Sequence, residues 1–199
     1  MKVGVLALQG DVREHIRSLG DCGVTATSVR RPEEIASIDA LVIPGGESTT
    51  IAKLARSFGV FDLIAERIRS GMPVYGSCAG MILIANKVLD AIEGQETFGG
   101  IDAVVRRNAF GRQVDSFETD LQFEGITDHP VRAIFIRAPW VESVSHEVKV
   151  LASVDGHPVA IRQGNLFATS FHPELTGDNR VHRYFIDSVC KESLKAGAR

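Results

Sequence analysis

Short apolar runs rich in valine, isoleucine and leucine alternate with amphipathic segments of helical length through the first half of the chain. This is the pattern of strands buried on both faces of a parallel sheet and joined by crossover helices. Read in order, it predicts a strand over 3–8, a helix over 12–22, strands over 26–29 and 40–43, helices over 49–58 and 61–69, a strand over 74–75 and a helix over 79–89. From Ile101 onward the texture changes to closely spaced β-type runs over 103–106, 113–121, 133–136, 148–154, 159–162 and 166–169, punctuated by glycine, aspartate and proline. These predict an antiparallel extension packed on the same sheet, closed by a last helix over 180–192, with 195–199 as a frayed tail. No internal repeat, low-complexity segment or linker interrupts the pattern. The expectation is an α/β, single-domain three-layer fold over 1–199, with a mostly parallel central sheet plus the antiparallel extension.

Composition narrows the function classes. A chain of 199 residues, 44% hydrophobic and 24% charged, can bury one full core and leaves no room for a second catalytic domain. The net charge is −3 and there is neither a polybasic run nor an aromatic-basic stripe, which argues against a nucleic-acid partner. The apolar start over 3–8 is too short for a signal-peptide core and runs straight into Gln9-Gly10-Asp11, so it reads as a first strand. No stretch approaches the roughly 18 apolar residues that a membrane span needs. Three cysteines, at 22, 78 and 190, make no disulfide framework, and a reducing cytoplasm is the expected compartment.

The most informative segment is Pro73-Val74-Tyr75-Gly76-Ser77-Cys78-Ala79-Gly80-Met81, a short strand running through Gly-x-Cys-x-Gly directly into an apolar helix. That is a nucleophile elbow with cysteine in the place of serine. Its glycines matter because the turn is tight and a Cβ at 76 or 80 would crowd the neighbouring strand or helix. Cys78 is thereby expected at the C-terminal edge of the sheet, where ligands bind in open α/β folds, and at a helix N-terminus that favours negative charge on sulfur. Taken alone, the motif also suits a buried cysteine acting as a small hydrophobe. Cys22 and Cys190 lie in helical segments without such glycines and read as structural.

A base is needed within reach of such a nucleophile, and the base needs an acceptor that holds its tautomer. Thr169-Ser170-Phe171-His172-Pro173-Glu174 supplies both after a β-type run, because Pro173 keeps His172 out of the helical region and the segment extended. A zinc site is a weaker reading, since His-x-Glu without a further His or Cys cluster offers too few ligands. A capping His-Pro turn with a solvated glutamate is the plain alternative. His15, His129, His146, His157 and His182 have no comparable sequence surroundings and are expected to be surface or core residues.

Ala40-Leu41-Val42-Ile43-Pro44-Gly45-Gly46-Glu47-Ser48-Thr49-Thr50 reads as a buried strand ending in Pro-Gly-Gly, then a Ser/Thr cap opening a helix. Two glycines let backbone approach a ligand, so the N–H groups of Gly46 and Ala79 could serve a developing oxyanion. The Gly-Lys-Ser/Thr ending of a phosphate-binding P-loop is absent. An ordinary βα turn explains the segment equally well by itself.

Together, Pro44-Gly45-Gly46-Glu47-Ser48, Gly76-Ser77-Cys78-Ala79-Gly80 and Ser170-Phe171-His172-Pro173-Glu174 resemble the class I (triad) glutamine amidotransferases, whose fold is flavodoxin-like. More narrowly, Leu8-Gln9-Gly10, Gly46-Glu47-Ser48-Thr49-Thr50, Arg107-Asn108, the run from Phe110-Gly111-Arg112 through Gln113-Val114-Asp115 to Ser116-Phe117-Glu118, Phe135-Ile136-Arg137-Ala138-Pro139 and Phe171-His172-Pro173-Glu174-Leu175-Thr176 resemble the glutaminase subunits of pyridoxal 5'-phosphate synthase. The similarity covers residues 2 to about 192. Ser77 and Met81 stand where that family often has threonine and leucine, and Trp140 follows at a variable place; none of these has a triad role.

The resemblance implies hydrolysis of L-glutamine by a triad of Cys78, His172 and Glu174, with Gly46, Glu47, Ser48, Arg107, Ile136 and Arg137 holding glutamine and no bound cofactor or metal. It also implies a partner, a barrel-shaped synthase subunit in a large ring complex, to which ammonia passes for vitamin B6 biosynthesis, and weak activity until that partner binds. A glutaminase feeding another synthase, such as imidazole glycerol phosphate synthase, is the rival enzyme. A non-catalytic regulatory module on the same fold is the rival outside enzymology, and the intact triad argues against it.

Overall fold

The structure is a computed structural model that describes residues 1–109 and 116–193. Its elements are β1 (Lys2–Leu6), α1 (Val12–Asp21), β2 (Thr25–Val29), α2 (Pro32–Ala36), β3 (Ala40–Ile43), α3 (Ser48–Ser57), α4 (Phe61–Arg69), β4 (Val74–Ser77), α5 (Ala79–Ile84) and β5 (Ala85–Leu89). There follow β6 (Ile101–Arg106), β7 (Ser116–Phe123), β8 (Ile126–Ile136), β9 (Trp140–Val144), β10 (Lys149–Val154), β11 (His157–Gln163), β12 (Leu166–Thr169) and α6 (Arg180–Tyr184).

The main sheet has seven strands in the order β10-β11-β12-β4-β3-β1-β2. From β12 through β2 all neighbours are parallel, while β11 and β10 continue the sheet antiparallel. β3, β4 and β12 are buried at every position, which is what a strand covered on both faces requires; β3 is apolar throughout, and β4 and β12 are apolar until the buried Ser77 and Thr169 at their ends. Successive side chains point to opposite faces. Leu41 and Ile43 therefore join a core with Ile51 and Ala55 of α3, Ile64 of α4 and Leu83 of α5, while Val42, Tyr75 and Phe167 join a second core with Leu19 of α1, Val181 of α6 and Phe185. Helices on both faces give the three expected layers.

Several expected boundaries are corrected. The helix expected over 79–89 ends at Ile84, and the chain turns extended at Ala85 to pair β5 in parallel with β6. That ladder gives the backbone partners that no local window could show, so tertiary pairing overrides helical propensity. The antiparallel extension lies only partly on the main sheet: β5, β6 and β9 form a three-stranded sheet, and β7 and β8 a separate hairpin. α2 and β9 were not foreseen. α2 opens with Pro32 at its first turn, and Glu34 accepts from the N–H groups of Arg30 and Arg31 at 2.8 and 3.0 Å. The final helix is α-helical over Arg180–Tyr184, continues as a π-helix over Phe185–Cys190 and is α-helical again over 191–193. Residues 110–115, which include the start of the strand expected over 113–121, and the tail expected to fray both lie outside the described residues.

Candidate active site

Four neighbouring parallel strands, β12, β4, β3 and β1, deliver their C-terminal ends to one place. The loop after β1 carries Gln9 and Asp11, that after β3 carries Gly45 to Glu47, β4 leads into Cys78, and β12 leads into His172. Register does the aligning: Ser77 pairs with Thr169, and the Cys78 N–H donates to the Thr169 carbonyl at 2.8 Å. The His172 N–H donates in turn to the Ile134 carbonyl of β8 at 2.9 Å.

Cys78 stands at φ 49°, ψ −99°, conformational space that a residue with a Cβ rarely occupies. The elbow is as tight as its glycines suggested. A Cβ on Gly76 would come within 2.5 Å of the Gly80 carbonyl group, and one on Gly80 would strike the Ile43 carbonyl oxygen. The strain therefore comes from a strand and a helix packed at contact distance, leaving the sulfur no relaxed alternative.

The three triad residues are almost fully buried, at 7% exposure for Cys78, 4% for His172 and 6% for Glu174. His172 Nδ1 lies 2.7 Å from Glu174 Oε1, and the Cys78 thiol is among the neighbouring groups that raise the pKa of the ring. Burial by itself would lower the His172 pKa, but the polar groups of Asp11, Cys78 and Glu174 beside the ring outweigh it and push the value up to about 12. Glu174 is also buried, which alone would raise its pKa, yet His15 and His172 beside it hold the carboxyl well below the usual carboxylate range. The Ser77 hydroxyl donates to Glu174 Oε2 at 3.4 Å. Asp11, a contact sequence reasoning missed, places Oδ2 3.5 Å from His172 Nδ1. Among the described residues, Asp11, His172 and Glu174 are the only cluster of potential metal-ligand atoms, lying within 4.8 Å of one another. The 2.7 Å bond between two of them makes the cluster a donor–acceptor network, and a cation would first have to break that link.

Beside the sulfur is a cavity of about 120 Å³ lined by Gly46, Glu47, Ser48, Cys78, Ala79, Ile82, Arg107, Asn108, Ile136 and Arg137. All six residues expected to hold glutamine are there, with both expected oxyanion donors; Ile82 and Asn108 were not foreseen. The Cys78 thiol points toward the Ile136 carbonyl at 4.0 Å. The cap of α3 is not Ser48 or Thr49 but Glu47, whose carboxylate accepts from the N–H groups of Thr49 and Thr50 at 3.0 and 2.7 Å. Arg107 reaches the same carboxylate at 3.1 Å. Partial burial opposes these bonds, but the Thr50 hydroxyl and the two N–H groups bring the Glu47 pKa down to about 2. Gln9 accepts from the Glu47 N–H at 2.7 Å and so fixes one peptide of the Gly-Gly loop.

The family model for the SNO glutamine amidotransferases matches residues 5–191. The chain belongs to the SNO glutamine amidotransferase family. Within that family it is 64% identical over 187 residues to the pyridoxal 5'-phosphate synthase subunit PdxT of Streptomyces coelicolor, covering 94% of this chain and 93% of that one. It is 62% identical, with 94% and 96% covered, to the subunit of the same name from Mycobacteroides abscessus. A crystal structure of a glutamine amidotransferase superposes with a TM-score of 0.88 at 47% identity, covering 95% of this chain and 98% of that one. The α/β architecture and the resemblance drawn from the three motifs are therefore those of the SNO family. The five histidines expected at the surface or in the core are found there: His15 and His182 lie in the core, behind the triad carboxylate, His129 and His146 are exposed and His157 is half-buried.

Proposed function

We propose that the chain hydrolyses L-glutamine to L-glutamate and ammonia as the glutaminase subunit of pyridoxal 5'-phosphate synthase. The observation that supports this reading is the His172–Glu174 pair at 2.7 Å, with the Cys78 thiol acting on the same ring and lining a cavity whose polar walls suit an amino acid. The Cys78 thiolate adds to the carboxamide carbon, and the oxyanion that forms takes hydrogen bonds from the N–H groups of Gly46 and Ala79. His172, held protonated, gives its proton to the departing nitrogen as the C–N bond breaks, leaving ammonia and a γ-glutamyl thioester. The neutral ring then takes a proton from water, whose oxygen attacks the thioester, and glutamate leaves as the sulfur regains its charge. Glu174 keeps Nδ1 protonated throughout. Glu47, Ser48, Arg107 and Arg137 would meet the ammonium and carboxylate ends of glutamine, and Gly46 and Ile136 its backbone-facing edge.

Free ammonia is protonated and lost in water, so a glutaminase without an acceptor site needs a partner over its cavity. The PdxT relatives are named as subunits of pyridoxal 5'-phosphate synthase, which supports a synthase subunit as that partner. The remaining parts of the reading are one glutaminase domain over the chain, a hetero-oligomeric ring with a barrel-shaped subunit, a lyase activity of the whole complex, and a cytoplasmic site of action. No helix among the described residues is long and apolar enough to cross a membrane. The test is ammonia release from glutamine, with and without the synthase subunit. Release should rise on mixing and vanish in Cys78→Ala. Unchanged release in that variant would remove Cys78 as the nucleophile, and stimulation by the cyclase subunit of imidazole glycerol phosphate synthase instead would replace the partner.

A further inference from the structure

Behind the triad, two histidines from distant helices form a row that ends on the triad carboxylate. His15 of α1 and His182 of α6 are both fully buried, and His15 Nδ1 lies 2.9 Å from His182 Nε2. The other ring nitrogen of His15, Nε2, lies 3.5 Å from Glu174 Oε1, the same oxygen that receives His172 Nδ1 at 2.7 Å. At that distance it makes an electrostatic contact and not an aligned hydrogen bond. The charged or titratable groups that face this row are Asp11 ahead of α1, Tyr75 and Cys78 on and after β4, His172 after β12, and Asp178 just before α6.

Tautomers give the row a direction. Burial and the neighbouring His15 lower the His182 pKa to about 3, so that ring is neutral and carries one N–H. His182 Nδ1 and His15 Nε2 are both buried without a hydrogen-bond partner, so the choice rests on Glu174: a hydrogen on His15 Nε2 faces the carboxylate oxygen, and His15 Nδ1 is then the acceptor of the histidine pair. The His182 proton therefore belongs on its Nε2, from which it is donated to His15 Nδ1. The opposite arrangement would aim a nitrogen lone pair at a carboxylate oxygen.

We infer that His15 is a positioning residue for glutamine hydrolysis, holding an N–H against the Glu174 carboxylate from the side opposite His172, and that His182 fixes the His15 tautomer in which this is possible. The inference rests on the triad reading above. An N–H on the far side of the carboxylate shares its charge and limits how strongly Glu174 can stabilise a protonated His172. Thioester hydrolysis needs His172 neutral, so the His15 contact keeps the acid limb of turnover at lower pH than the Cys78–His172–Glu174 triad alone would set.

The experiment is the pH profile of kcat and KM for glutamine in the synthase complex, for the wild type, His15→Leu, His15→Gln and His182→Leu. In His15→Leu the acid limb of kcat should move up by about half to one pH unit, a roughly three- to ten-fold loss at pH values on that limb, with KM unchanged. His15→Gln, whose side-chain amide can present an N–H to the carboxylate, should return the limb toward its wild-type place. His182→Leu, which touches no triad atom, should shift it the same way by less. An uncharged packing role predicts instead a uniform loss at all pH values and equal damage from Leu and Gln. That result, or a wild-type profile in both Leu variants, overturns the inference. Imidazole NMR gives a readout independent of turnover: His15 and His182 should both be protonated at Nε2, and the His172 titration should move up in His15→Leu. Loss of hydrolysis in Cys78→Ala separately tests the triad reading, so a failure of either is recognised by itself.

Discussion

Replacing Cys78 by glycine and by alanine separates the strain at the elbow from the chemistry of the sulfur. Both variants lack the nucleophile, so their comparison reports only on the backbone at φ 49°, ψ −99°. A residue with a Cβ held in such a region costs about 1–3 kcal/mol, a cost that glycine does not bear. Against this, glycine loses about 0.4–1 kcal/mol more conformational entropy on folding, and the Cβ that alanine buries contributes about 0.8 kcal/mol. At an unstrained position alanine would therefore lead by about 1–2 kcal/mol, which for a chain of this size is about 2–8 °C in Tm. At the strained elbow the terms offset one another, and mid-range values leave glycine ahead by about 0.5 kcal/mol, or about 1–2 °C. Thermal unfolding of the two proteins in one buffer decides it. The expected result is that Cys78→Gly melts no lower than Cys78→Ala. A Tm for Cys78→Ala that is higher by about 3 °C or more would refute the reasoning, because no strain would then be left to release.

Gly80→Ala should destabilise the fold by about 1–3 kcal/mol although Gly80 lies in α5, where alanine is normally the better residue, because the new Cβ strikes the Ile43 backbone carbonyl; a raised Tm would show that the elbow has slack. Glu47→Gln should cost about 1 kcal/mol near neutral pH, a value held low because the Glu47 side chain is 47% exposed. The Glu47 carboxyl is depressed in the folded state, so its contribution is present above its ordinary pKa of 4.5 and is lost as pH falls towards about 2. The stability gap between wild type and Glu47→Gln, measured by denaturant titration, should narrow across that range; a constant gap would mean that charge on Glu47 has no part in capping α3.

What was legible in the sequence follows from how local each constraint is. β3 and β12 could be read to the residue because burial on both faces leaves a continuous β-type run, apolar but for Thr169, and Cys78 stood out because the elbow needs two glycines at fixed spacing around it. His172 and Glu174 are neighbours in sequence, so their pairing at 2.7 Å was also within reach of a local reading. β5 and β9 were not, since each is made a strand by β6, a partner lying elsewhere in the chain. The same holds for the cap of α3: a glutamate before Ser-Thr-Thr is an unremarkable surface residue until the Thr49 and Thr50 amides turn toward it. Asp11 and Gln9 carried a weak signal, the place just past β1. His15 and His182 carried none, because they are separated by 167 positions and only the packing of α1 against α6 makes them neighbours.

The strained residues show what the sheet contributes to the site. Among the described residues, five other than glycine have positive φ, and three of them, Cys78, Asn108 and Arg137, line the cavity; the other two, Asp90 and Asp155, do not. Strain of this kind persists only where the surroundings leave the chain no alternative. For Cys78 those surroundings are β3, β4 and α5 in contact through Gly76 and Gly80. Asn108 and Arg137 follow β6 and β8, and they are tied to each other's neighbourhood by the Ala109 N–H donating to the Ala138 carbonyl at 3.0 Å. The sulfur is thus held from one side by the main sheet, and two cavity-lining side chains are held from the other by the smaller sheets that sequence reasoning had folded into the main one. Separate sheets let the cavity open between them, whereas a single continuous sheet would have carried Arg107 and Arg137 away from Cys78 along its edge.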